Sequence, residues 1–128
     1  MDVFKTHGAF SWNELVTTDP AAAAAFYGEL FGWEFATDDA ATEAVSEPGN
    51  YGFVDQSIAG LNGGVGGGDG YERRVLFYVG VPDVGAALAE AERLGGTREM
   101  GPEGTPGRLV VARFTDPEGN VIGLAGPE

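Results

Sequence analysis

The sequence contains no cysteine, which removes disulfide bridges, thiolate nucleophiles and any cysteine-held zinc or iron–sulfur centre. It has one lysine, Lys5, and one histidine, His7. A single lysine excludes the GK[ST] phosphate loop and leaves Schiff-base chemistry almost nothing to use. His7 precedes the first apolar stretch and reads as an exposed residue, since no carboxylate stands at a ligand spacing from it. Ser11, Ser46 and Ser57 have no histidine placed to activate them, so none is a nucleophile candidate. Long apolar runs are missing too, as is a basic stretch leading into an apolar one, so the expectation is a soluble, cytoplasmic chain with no membrane partner. Positive charge is scarce: 7 Lys+Arg face 20 Asp+Glu, a net charge of −13. Such a surface repels phosphate backbones and anionic lipid, and nucleic acid is not an expected partner. It leaves two readings, plain solubility or the steering of a cationic ligand.

What is present points to one compact domain. Hydrophobic residues make up 43% of 128, and a chain of this length buries roughly 65–70% of its unfolded surface. The order within the chain is that of a tandem repeat. Setting "WNELVTTDPAAAAAFYGELFGWEF", from Trp12, against "LFYVGVPDVGAALAEAERLGG", from Leu76, puts Asp19 on Asp83 at a shift of 64. The same shift aligns Leu15 with Val79 and Leu30 with Leu94. At a shift of 63, "IAGL" (58–61) falls on "VIGL" (121–124), which pairs Gly60 with Gly123.

Each half opens with a short strand, about 9–17 and 74–81. Asp19 or Asp83 then caps an alanine-rich helix, 20–31 or 83–94, with Pro20 at the first helical position and Gly32 or Gly95 near the end. Three strands follow in each half, near 33–37, 43–55 and 57–62, then near 97–100, 108–115 and 120–125. Module one spans about 8–62 and module two about 72–126, with "LNGGVGGGDGY" between them. That stretch lacks the spacing of a phosphate loop and leads into a strand, so 63–71 reads as a flexible linker. "MGPEGTPGR" (100–108) reads as a mobile loop. In "FTDPEGNVIGL", Pro117 and Gly119 mark a tight turn before the last strand, and Gly123 interrupts an otherwise apolar strand.

The repeat, the Asp-capped helices, "FYGELFGWEF" and "DPEGNVIGL" together resemble the vicinal oxygen chelate superfamily, which includes glyoxalase I, extradiol dioxygenases and bleomycin-resistance proteins. The resemblance spans nearly the whole chain, 1–128 forming a single glyoxalase-like domain. It implies an α+β fold of two tandem βαβββ modules forming an incomplete barrel, with the site on the concave sheet face. Metal enzymes of that group carry a histidine seven residues before the capping Asp and a glutamate after the "DPDGN" turn. A divalent ion holding two substrate oxygens needs such imidazole and carboxylate ligands. Here those positions hold Trp12, Leu76, Gly123 and Gly60, none of which has a ligating side chain. The expectation is therefore no metal and no cofactor.

Strand alternation then places Phe10 and Glu14 on the face of Trp12, and Tyr78 on the face of Leu76. The candidate ligand-binding residues are Trp12, Glu14, Tyr78 and Arg113, with Tyr51 at the rim and Glu14 as the candidate acid or base. Phe26, Tyr27, Leu30 and Trp33 read as helix-to-sheet packing. A metal-free protein that binds a small organic molecule is the leading functional reading. The alternative is a lyase, isomerase or dioxygenase with unusual ligands or none, and a structural or regulatory role is neither supported nor excluded. The resemblance also implies a homodimer.

Overall fold

The computed structural model describes residues 8–38, 40 and 42–127; His7 lies outside them. Two compact units emerge, Trp12–Val75 and a second made of 76–127 together with 8–11. The elements run β1 (Ala9–Thr17), α1 (Pro20–Phe31), β2 (Ala36–Asp38), β3 (Tyr51–Val54), α2 (Gln56–Ala59) and β4 (Gly63–Gly67). They continue with β5 (Arg74–Gly80), α3 (Val84–Arg93), β6 (Thr97–Thr105), β7 (Leu109–Thr115) and β8 (Val121–Gly126).

The helices form where their caps predict. The Asp19 carboxylate accepts from the Ala22 N–H at 3.1 Å, and Pro20 occupies the first turn, where its missing N–H costs nothing. Gly32 closes α1 in the left-handed region at φ 74°, its N–H donating to Gly28 O at 2.8 Å. Asp83 repeats the cap on α3, accepting from the Ala86 N–H at 3.0 Å.

In the first unit the strand order is β1-β4-β3-β2. β1 and β4 are parallel with Glu14 opposite Gly64, and the remaining pairs are antiparallel. In the second unit the order is β5-β8-β7-β6, with the parallel pair β5/β8 placing Tyr78 opposite Gly123. Residues 8–11 flank β5, where the Gly8 N–H donates to Gly80 O at 2.9 Å and the Ser11 hydroxyl to Tyr78 O at 3.2 Å. Each unit thus has a parallel outer pair around a helical crossover followed by an antiparallel meander, the βαβββ grammar of the repeat.

The second unit has the better-covered core. Val84 and Leu88 of α3 are fully buried against Val81, Val110, Ala112 and Leu124. At about 25 cal/mol per Å², burying each such aliphatic side chain stabilises the unit by about 1.5–3 kcal/mol. α1 differs, since none of its residues is buried. Phe26, Leu30 and Phe31 are each more than half exposed, which corrects the helix-to-sheet role expected for Phe26 and Leu30.

Several boundaries also change. Residues 63–67 are not a linker but β4, buried along its whole length, because backbone pairing on both edges satisfies its peptide groups. "IAGL" is the end of α2 and a turn, not a strand. The stretch 43–45 is a turn, and β3 begins only at Tyr51. Residues 100–105, expected in a loop, continue β6 along β7 through two register shifts, with the positive φ of Gly101 (90°) and Gly104 (124°) absorbing the irregularity.

The turn 116–119 forms as its residues predict. The Gly119 N–H donates to Asp116 O at 2.9 Å, while Asp116 Oδ1 accepts from the N–H groups of Glu118 at 2.9 Å and Asn120 at 3.0 Å. These donors, led by the Asn120 side chain and backbone, hold the Asp116 carboxyl below its ordinary range.

Candidate ligand-binding site

The candidate residues fall into two hydrogen-bonded groups, one within each unit. In the first unit, Trp12 and Glu14 share a face of β1 because two residues separate them. Tyr51, on β3, joins them: the Trp12 indole N–H donates to Tyr51 Oη at 2.8 Å, and the Tyr51 hydroxyl donates to Glu14 Oε1 at 2.8 Å. Phe53 meets Trp12 edge-on, with ring centroids 5.7 Å apart. Glu14 is 4% exposed and Tyr51 2%. A carboxylate that deep in the protein needs hydrogen-bond donors, and the phenol supplies one. Tyr51 is therefore not a rim residue but the central link of the group.

The glycines of β4 explain how Tyr51 fits. A Cβ on Gly64 would lie 2.5 Å from Tyr51 Cζ and 2.6 Å from its hydroxyl oxygen, and one on Gly66 would lie 2.5 Å from Cδ2. The phenol ring lies flat on bare backbone, a close approach that only glycine permits. The "GGVGG" run thus belongs to the architecture of the site.

In the second unit the same device recurs. Gly123 stands on β8 between Tyr78 on β5 and Arg113 on β7, opposite each in register. The Arg113 Nε–H donates to Tyr78 Oη at 3.1 Å, with Arg113 5% and Tyr78 2% exposed. A Cβ at Gly123 would come within 2.6 Å of Tyr78 Cγ and Cε2. Gly123 therefore does more than replace a ligand, because the tyrosine ring occupies the space its side chain would need.

Register also corrects the internal alignment. Glu14 opposes Gly64 as Tyr78 opposes Gly123, so the first-unit counterpart of Gly123 is Gly64. The 63-residue offset that selected Gly60 fails because α2 and its Gly60 cap intervene before β4.

The positions that carry metal ligands in related enzymes do not fit an ion here. The Trp12 N–H is engaged by Tyr51, Leu76 is a buried apolar side chain, and tyrosine rings cover Gly64 and Gly123. Among the described residues, no three His, Asp or Glu side chains converge as a metal-binding group.

Comparison with known proteins bears on the fold. Solved structures with the same fold include a methylmalonyl-CoA epimerase in complex with methylmalonyl-CoA and NH4+, with a TM-score of 0.65 at 13% identity, covering 94% of this chain and 95% of the other. The methylmalonyl-CoA epimerase of Mycobacterium tuberculosis is similar at a TM-score of 0.60 and 11% identity, over 100% and 92% of the two chains. A hypothetical protein from Bacillus halodurans C-125 gives 0.63 at 11%, over 94% and 95%. The fold is thus that of the vicinal oxygen chelate superfamily. The glyoxalase-like domain family matches residues 13–125, and the chain belongs to that family. No curated protein matches the sequence. No helix among the described residues is long and apolar enough to cross a membrane.

Proposed function

We propose that this glyoxalase-like protein binds a small organic molecule without a catalytic metal, with Trp12 and Glu14 as the candidate contacts of the first unit and, taken separately, Tyr78 and Arg113 as those of the second. The observation that carries this reading is the filling of the ligand positions: tyrosine rings lie on Gly64 and Gly123, where a metal-binding carboxylate would have to grow. What remains on these strands is an indole, a carboxylate, a phenol and a guanidinium, each held by a hydrogen bond. Such groups stack on and orient a small polar or aromatic ligand. A net charge of −13 favours a neutral or cationic ligand over a polyphosphate such as a CoA ester.

A second reading is an enzyme with Glu14 as acid or base, of lyase, isomerase or dioxygenase type. It is favoured by the burial of Glu14 beside the Tyr51 hydroxyl. Pairing of two copies belongs to the same proposal, supported by the exposed apolar side chains of α1.

A fluorescence-quenching screen of small amines, aromatic acids and acyl thioesters, run on the protein and on Trp12→Ala, tests the reading. Ligands that bind the parent should lose affinity at least tenfold in Trp12→Ala while its circular dichroism stays unchanged. Undiminished binding would overturn the assignment of this face.

A further inference from the structure

The second unit has an open apolar groove between α3 and its sheet, on the side of β5, β7 and β8 opposite to Tyr78, Arg113 and Gly123. Alternation places it there: Val79, Phe114, Ile122 and Leu124 line it, and each is one residue removed from those three. The groove measures about 370 Å³, within the range of small-molecule sites. It adjoins the packed core: Val79, Ala87 and Phe114, which line it, pack against the buried cluster that contains Val84 and Leu88. The room comes from α3, which turns Ala87 and Ala91 towards the sheet where larger side chains would close the gap.

Two carboxylates also line the groove, Glu90 from α3 and Asp116 from the β7–β8 turn. Arg93 pairs with Glu90, its Nε donating at 2.9 Å, and so offsets part of that charge. Asp116 is met by neutral donors, the N–H groups of Glu118 and Asn120 and the Asn120 side-chain amide at 2.9 Å, so its negative charge persists at the rim. An apolar floor under a negative rim, in a chain of net charge −13, is complementary to one kind of small molecule.

We propose that this groove is a second binding site, distinct from the Trp12 and Tyr78 groups, for a small amine with a compact hydrocarbon body. The hydrocarbon lies on Ala87, Ala91, Phe114 and Ile122, and the ammonium group faces Asp116 and Glu90. The amine is selected over the corresponding alcohol by the rim charge and over the corresponding acid by repulsion.

Benzylamine, benzyl alcohol and benzoate are the probes, titrated into the intact chain with methyl chemical shifts read at Ala87, Ala91 and Ile122. Benzylamine should produce saturable shifts at these methyls and bind roughly 1.5-fold to fivefold more tightly than benzyl alcohol, the range a solvent-facing ion pair supplies. Benzoate should produce none. Ala91→Leu fills the groove and should abolish the benzylamine shifts while raising or keeping the melting temperature. Glu90→Gln combined with Asp116→Asn should bring benzylamine down to the affinity of benzyl alcohol, which tests the rim even if Ala91→Leu fails to fold. Absence of shifts at these methyls, equal binding of amine and acid, or undiminished binding in a folded Ala91→Leu would each overturn the proposal.

Discussion

Replacing Gly64 by alanine is the sharpest test of how the first unit is built. The added methyl would sit 2.5 Å from Tyr51 Cζ, which is inside any tolerable carbon–carbon contact. A solvent-exposed ring would swing away at little cost. Tyr51 is 2% exposed and held at both sides of its hydroxyl, by Trp12 and by Glu14. Displacing it costs about 1–3 kcal/mol for overpacking. The Glu14 carboxylate then loses a donor while buried, a further cost of about 1–3 kcal/mol. Relief of the glycine's conformational entropy returns about 0.5–1 kcal/mol. The net expectation is a loss of about 1–5 kcal/mol, read by urea unfolding followed by circular dichroism. In a Tyr51→Ala background, itself about 3–5 kcal/mol less stable, the same Gly64→Ala change should be neutral or slightly stabilising. A cost below about 0.5 kcal/mol in the parent would refute the reasoning, as would an equal cost in both backgrounds.

Gly123→Glu should not restore a metal site: it should destabilise the protein and retain less than about a tenth of an ion per chain by elemental analysis after exposure to Zn²⁺, Mn²⁺, Ni²⁺ or Fe²⁺. Near-stoichiometric metal in the parent protein would sink the metal-free reading. Because the Asp116 carboxyl is held below its ordinary range, its contribution to stability is present above the unfolded value near pH 4 and is lost as pH falls through the lower folded value. Asp116→Asn should therefore flatten the acid limb of a stability–pH profile below about pH 4 and leave its slope at neutral pH unchanged. If two copies pair through α1, Phe26→Glu with Phe31→Glu should shift sedimentation from dimer to monomer without changing the helical signal; a species of unchanged mass would assign the exposed α1 face another role.

The parts of this fold that were legible in the sequence are those fixed by neighbouring residues. Asp19 and Asp83 announce their helices because a cap is a contact over three residues, and Asp116 with Gly119 announces a turn for the same reason. The repeat was visible because both units use the same caps and crossover. The strands of the first unit were less legible. β4 has no side chains on four of its five residues, so neither alternation nor propensity marks it, and "GGVGG" looks like a linker to any local reading. The one signal available was the density of glycines itself, which in a strand marks a close approach of another group.

The candidate site divides in the same way. Trp12 was a candidate through the family resemblance and Arg113 through its place beside the "FTDP" turn, while Glu14 and Tyr78 followed from alternation, because a strand presents every second residue to one face. Tyr51 stood out only as a rim residue, since its central role depends on a ring reaching Trp12 and Glu14 from a strand 37 residues beyond Glu14. Sequence by itself determined the caps, the tandem order and the absence of side chains able to bind a metal at Trp12, Leu76 and Gly123. Tertiary structure alone decided that Gly64, not Gly60, corresponds to Gly123, and that tyrosine rings fill the space above both. The physical reason is that a glycine's missing side chain is local, whereas what occupies the space it leaves is set by strand register and packing across the sheet.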